Sequence, residues 1–157
     1  MKIVLLVVGK TNEKYLKEAI EVFETRIRHY ILFEKNVIPE LKNVKNLSIA
    51  QQKEKEAKAI LKQIQATDEL ILLDEKGTQY NSVGFSDFLQ QKMNVGVKRA
   101  IFVVGGPYGF AQEVYDRCNA KLSLSKMTFS HQMVRLIFME QLYRAMTILK
   151  GEPYHHE

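Results

Sequence analysis

Arg99-Ala100-Ile101-Phe102-Val103-Val104-Gly105-Gly106-Pro107-Tyr108-Gly109 (RAIFVVGGPYG) is the stretch on which the fold of this chain turns. Six residues of strand character, almost all apolar, run without a turn signal into a loop that mixes three glycines with one proline. A continuous apolar run of this length is what a strand buried on both faces requires. The loop joins residues that accept unusual backbone angles to one whose angle is fixed, so main chain can approach a ligand closely there. A tight turn between a strand and a helix would use the same residues.

Outward from this stretch the same alternation recurs. Lys2 to Val8 reads as a buried strand, and Asn12 to about His29 as a helix with Leu16, Ala19, Ile20, Phe23 and Ile27 on one face. Ile31 to Ile38 is a second strand, stopped by Pro39. Ser48 followed by Gln51 resembles a capping box and opens a helix to about Gln65. Glu69 to Asp74 forms a third strand closed by Lys76-Gly77, and Ser82 to Asn94 a helix ended at Gly96. After the glycine loop come a short helix, Gln112 to Cys118, and a short strand, Lys121 to Leu124. A long amphipathic helix, His131 to Lys150, stops at Gly151. Parallel strands need crossover connections, so the pattern predicts an α/β fold with a mostly parallel sheet and helices on both faces. The chain has 157 residues and no repeat, low-complexity stretch or Gly/Ser linker, which predicts one domain over 1–157.

Composition narrows the function. No apolar run approaches the roughly 20 residues of a membrane span, and no secretory signal opens the chain, so a soluble cytoplasmic protein is expected. The single cysteine, Cys118, has no partner for a disulfide or a metal pair and reads as a quiet structural thiol; no metal is expected. The formal net charge of +5 favours an anionic partner, and Lys55, Lys58 and Lys62 share one sector of a helical wheel, although a solvated face would look the same.

Ligands of open α/β sheets bind beyond the carboxyl ends of the strands. The loop after Val8 lacks both the GxGxxG fingerprint and a GxxxxGK[ST] phosphate loop, which argues against nicotinamide cofactors and nucleoside triphosphatases. The loops after Asp74, Val104 and Leu124 remain. Leu124-Ser125-Lys126-Met127-Thr128-Phe129 mixes hydroxyls with apolar side chains, which suits an adenine in an apolar slot and equally a plain helix entry. Asp74 is either part of such a site or a cap for the turn that follows it.

Taken together, KIVLLVVGK, LLDEKG, VVGGPYG, LSLSKMTFSHQMVRLIFMEQLYRA and the terminal PYHHE, in this order over essentially the whole chain, resemble the bacterial ribosomal RNA large subunit methyltransferase H family. These are pseudouridine methyltransferases of the SPOUT superfamily. The resemblance implies a trefoil-knotted sheet, S-adenosylmethionine as methyl donor and a homodimer. It also implies methylation of ring nitrogen 3 of a pseudouridine in 23S rRNA, with the assembled ribosome as substrate and no membrane partner. Carried over by position, it implies donor contacts at Leu73, Gly105 and Leu124 to Phe129, that is Leu124, Ser125, Lys126, Met127, Thr128 and Phe129. It departs at the tail, where the family usually has Pro-Tyr-His-Arg-Glu and this chain has Pro153-Tyr154-His155-His156-Glu157. Arginine carries a fixed positive charge and histidine does not, so one fixed charge for phosphate contact is lost at His156. A SPOUT enzyme with a tRNA target and a non-catalytic RNA-binding module are the alternative readings.

The transfer needs an aligned donor and a nitrogen freed of its proton, which directs attention to His, Arg and Tyr. Tyr154 and His155 are the tail candidates for catalysis, together with Arg144. Arg144 also lies four residues after Glu140, the order that favours an intrahelical ion pair. Arg135 is about 40° from His131 on an ideal helix, so both are candidates for contact with substrate at the pocket mouth, as is His156. His131 would serve equally as a neutral capping or packing residue at the helix start. Val134, Ile137, Phe138, Leu142, Ala145 and Leu149 form the expected apolar stripe of the last helix.

Overall fold

A computed structural model describes residues 1–156. The elements in chain order are β1 (Lys2–Val8), α1 (Lys14–Ile27), β2 (Leu32–Ile38), α2 (Ile49–Leu61), β3 (Glu69–Gln79), α3 (Ser82–Asn94), β4 (Arg99–Val104), α4 (Gln112–Arg117), β5 (Ala120–Ser123) and α5 (Met133–Leu149), with a short 3-10 turn at Val44–Asn46. All strand pairings are parallel, in the order β2-β1-β4-β3-β5.

Side chains of a strand alternate between the two faces of its sheet, and here both faces are apolar. Ile3, Leu5 and Val7 of β1, Ala100, Phe102 and Val104 of β4 and Ile71 of β3 join the core beneath α1, α3 and α5. The intervening Val4, Leu6, Ile101, Val103, Leu70 and Leu72 join the core beneath α2 and α4. Two helical layers cover the two sides. On the first side the Phe102 and Phe138 rings lie 4.8 Å apart, tying the middle of the sheet to α5.

The Ser48 capping box opens α2 as its sequence predicts, with Gln51 N donating to Ser48 Oγ and Ser48 N to Gln51 Oε1. The third strand departs from expectation. Lys76-Gly77 does not end it; β3 runs on to Gln79 and pairs with β5 twice, Leu122 lying opposite Leu73 and again opposite Thr78. Residues Asp74 to Gly77 are thrown out between these two pairings, and Lys76 N donates to Asp74 Oδ1 across the bulge. Glycine is needed there because main chain meets main chain. A Cβ at position 77 would stand 2.6 Å from Lys121 C and 2.7 Å from Leu122 N.

The stripe on α5 is also shifted. Phe138, Met139, Leu142, Ala145 and Met146 are buried, while Val134, Ile137 and Leu149 are only partly covered. Cys118 donates from Sγ to the Tyr115 carbonyl, and burial pushes its thiol up, which keeps it protonated and unreactive. No helix among the described residues is long and apolar enough to cross a membrane, and no group of three His, Cys, Asp or Glu among them is arranged to hold a metal ion.

Candidate methyl-donor site

The carboxyl ends of β3, β4 and β5 meet at one rim of the sheet, and a cleft of about 400 Å³ opens there. That volume lies in the range of small-molecule sites. Leu73, Asp74 and Glu75 reach it from the β3 bulge, Val104 to Pro107, Gly109 and Phe110 from the glycine loop, and Leu122 from β5. Leu124, Ser125 and Met127 to His131 line it from the segment before α5, and Val134 from α5 itself. Apolar side chains make the walls and glycine main chain makes part of the floor. Such a lining fits a flat adenosyl group with its polar edge toward backbone, and Asp74 and Glu75 place carboxylates where a cationic sulfonium or ammonium gains from them.

Each loop is held by specific bonds. Tyr115 OH donates to Asp74 Oδ2, and burial followed by this bond pushes the phenol up to about 12. Thr128 Oγ1 donates to Glu75 Oε2 at 2.8 Å, joining the segment before α5 to the β3 bulge. Ser123 Oγ donates to the Ser125 carbonyl and Ser125 Oγ accepts from Met127 N, which closes the bend. In the glycine loop, Gly109 N donates to the Gly106 carbonyl and Gly109 itself takes φ +79°, a left-handed angle that favours glycine. A Cβ at Gly105 would lie 3.0 Å from the Phe110 ring.

Of the residues expected to touch the donor, Leu73, Gly105, Leu124, Ser125, Met127, Thr128 and Phe129 line the cleft. Lys126 does not; its side chain is exposed outside it. A lysine ammonium facing a sulfonium would be repelled, so an outward position is the electrostatically cheap one. His131 lines the cleft, and the capping function at this end of α5 belongs to Ser130, whose Oγ accepts from Met133 N.

Arg135 corrects the expectation most sharply. It is 1% exposed and does not share the cleft mouth with His131. Its Nη1 donates to Gly9 O at 2.8 Å and Thr11 Oγ1 at 3.2 Å, Nη2 to Val8 O at 2.9 Å, and Nε to His131 O at 3.1 Å. The guanidinium thus clamps the end of β1 to the start of α5. Neighbouring Gln132 repeats the grip, accepting from Asn12 N and donating to Lys10 O. Burial lowers the Arg135 pKa and the Glu40 charge opposes that shift.

Arg144, Tyr154 and His155 are brought together, but not at the cleft. Arg144 Nη2 donates to Glu140 Oε1 at 2.6 Å, its Nη1 lies 3.2 Å from His155 Nδ1, and its guanidinium stands 4.7 Å from the Tyr154 ring centre. Tyr154 OH also donates to Glu140 Oε1 at 3.1 Å, and its ring packs 4.8 Å from that of Tyr143. Burial, then the Glu140 bond, pushes the Tyr154 phenol up. Arginine has only donors, so at this contact His155 Nδ1 is the acceptor. From Val134 at the cleft to Arg144 is ten residues of helix, about 15 Å. One chain therefore carries the cleft and the tail cluster at opposite ends of α5. His156 is exposed beside the cluster, and Glu157 lies outside the described residues.

Sequence reasoning missed Glu56, whose Oε1 accepts from Gly106 N at 2.9 Å. Its partner is fifty positions away, so no local motif could flag it.

Comparison with known proteins agrees with this geometry. A family model described as a predicted SPOUT methyltransferase matches residues 1–155. A curated relative from Parabacteroides distasonis, named ribosomal RNA large subunit methyltransferase H, is 62% identical over 157 residues and covers all of both chains. One of the same name from Christiangramia forsetii is 58% identical over 156 residues, 99% of each chain. Among solved structures, a probable methylase family protein from Haemophilus influenzae Rd KW20 aligns with a TM-score of 0.57 at 12% identity, covering 99% of this chain and 70% of that one, a likeness of fold. An all-parallel five-stranded sheet with its cleft at the rim of β3, β4 and β5, matched over residues 1–155, places the chain in the SPOUT methyltransferase family, with that family's knotted α/β fold.

Proposed function

We propose that this protein transfers a methyl group from S-adenosylmethionine to ring nitrogen 3 of a pseudouridine in 23S rRNA, acting in the cytoplasm on the assembled ribosome. The observation that carries the reading is the cleft at the ends of β3, β4 and β5, walled by apolar side chains and floored by Gly105-Gly106, in a chain whose full-length relatives are named for ribosomal RNA methylation. Bound there, the donor supplies an activated methyl on a sulfonium centre, so the protein needs no metal. Leu73, Gly105, Leu124, Ser125 and Met127 to Phe129 hold and orient it, and the surrounding apolar walls exclude water.

The remaining chemistry is to free the ring nitrogen of its proton. Arg144 offers a fixed positive charge that favours the deprotonated pyrimidine, and Tyr154, kept protonated, becomes a hydrogen-bond donor to a ring carbonyl once its O–H turns away from Glu140 Oε1. His155 is the group that can accept the proton, at Nδ1, once the substrate displaces Arg144 from that nitrogen. His131 at the cleft edge and His156 on the tail are placed to touch the nucleotide or its phosphates. Arg135, buried in its clamp, is assigned no substrate contact.

Because the cleft and the tail cluster are separated along α5, the site is completed in a homodimer, the tail of one copy serving the cleft of the other. Leu136, Ile137 and Ile148 on α5, left partly uncovered within one chain, supply apolar surface for such an interface. Mass mapping of 23S rRNA from cells with and without the gene tests the whole reading. One methylated pseudouridine should vanish on deletion and return with the gene; an unchanged rRNA rejects the proposed substrate. Calorimetric titration with S-adenosylmethionine tests the donor site separately, and no heat at millimolar donor rejects it.

A further inference from the structure

Glu56 sits on α2, behind the glycine loop and outside the cleft lining. Its Oε1 takes the Gly106 N–H at 2.9 Å. A Cβ built on Gly106 would stand 2.8 Å from Oε2 and 3.0 Å from Oε1, so the carboxylate lies flat against the bare α-carbon. Gly106 does not hold a left-handed angle, so what a side chain at this position would displace is the Glu56 carboxylate, without backbone strain. Among the described residues no lysine or arginine pairs with Glu56. Burial raises its carboxyl above the ordinary value; the Gly106 N–H and the charge of His131 act the other way. A half-buried carboxylate without a cationic partner is costly to keep. What it gains is one main-chain bond to the donor loop and proximity to His131 at the cleft edge.

We propose that Glu56 is a positioning residue of the donor site: from outside the cleft it holds Gly106 by its main-chain N–H and so sets the shape of the Gly105-Pro107 floor on which the donor rests. The inference rests on the methyltransferase reading above. A charge-assisted bond to a main-chain N–H is among the stronger single hydrogen bonds, and its loss releases the loop on the side away from the donor. The turn from Gly106 O to Gly109 N remains, so the loop is loosened and not unfolded.

The test is a set of four variants followed by calorimetric titration with S-adenosylmethionine and by steady-state methylation kinetics. Glu56→Ala is expected to weaken donor binding about tenfold and to raise KM for the donor with little change in kcat. Glu56→Gln keeps an oxygen for Gly106 N–H and should stay within about threefold of the wild type. Gly106→Ala puts a methyl group where the carboxylate lies and should weaken binding like Glu56→Ala. In the double variant the methyl group has room, so Gly106→Ala should add little to Glu56→Ala, whereas independent effects would multiply. Donor affinity of Glu56→Ala within twofold of wild type overturns the proposal, as do multiplying effects in the double variant. A purely structural role would lower the melting temperature and leave the affinity of the folded protein alone. Failure of the wild type to bind donor would sink the methyltransferase reading itself, an outcome distinct from any of these.

Discussion

Replacing Arg135 by methionine isolates the clamp between β1 and α5. Methionine fills most of the arginine's volume without a charge or a donor, so the change removes bonds with little cavity. Two of the four bonds are short and run to main-chain carbonyls, Gly9 O at 2.8 Å and Val8 O at 2.9 Å. A hydrogen bond from a charged group contributes about 1.5–3 kcal/mol, and a buried carbonyl left without its donor costs a comparable amount. Against this stands the desolvation of a buried guanidinium, several kcal/mol, which methionine relieves. The balance is a loss of about 3 kcal/mol, equivalent to a fall in Tm of about 6–12 °C for a chain of this size. Urea unfolding followed by circular dichroism would measure it. Methyl transfer well below the unfolding temperature should be reduced less than fivefold, because the clamp touches no substrate. Wild-type stability combined with lost activity would refute the reasoning and return Arg135 to the substrate.

Removing Tyr154 onward should abolish methyl transfer while donor binding survives, and mixed dimers of a tail-less copy with a Gly105→Val copy should keep one working site; full activity of the truncated protein, or dead mixtures, would count against a shared site. The Tyr115 phenol is raised to about 12 from an ordinary 10. Burial first, and its bond to Asp74 second, keep the phenol protonated in the fold, so the stability linked to it is fully present below pH 10 and lost as pH climbs toward 12, and melting temperature should drop less steeply across that window in Tyr115→Phe than in the wild type. Lys55 and Lys58 on α2 and Lys62 at its C-cap are exposed and belong to no ion pair among the described residues. Changing all three to alanine should reduce the slope of log affinity for rRNA against log salt by about 2, with donor binding unchanged; an unaltered slope would show that this face does not meet phosphate.

Much of the architecture was readable because local pattern and tertiary role coincide. Lys2–Val8, Ser82–Asn94 and Arg99–Val104 begin and end where periodicity and turn residues place them. The strand order was not readable, since nothing local tells β1 to lie between β2 and β4. Gly77 misled because glycine after an acidic turn reads as a stop, whereas its purpose is contact with the Lys121-Leu122 main chain. The donor loops stood out by composition, but Glu56 and the Arg135 clamp did not. A carboxylate on a lysine-rich helix reads as solvated, and an arginine on a helical wheel shows its angle but not its depth. The tail cluster was legible as residues and not as a place, for its position depends on how the chain folds back along α5.

The parallel sheet has a consequence for the order in which the protein is made. Lys2 of β1 pairs with Arg99 of β4, so this strongly apolar strand meets its inner neighbour only after nearly a hundred further residues have been synthesised. Until then one flank of that strand is occupied by β2 alone and the other is an open edge. Such long-range closure makes folding slow and leaves a sticky intermediate during translation.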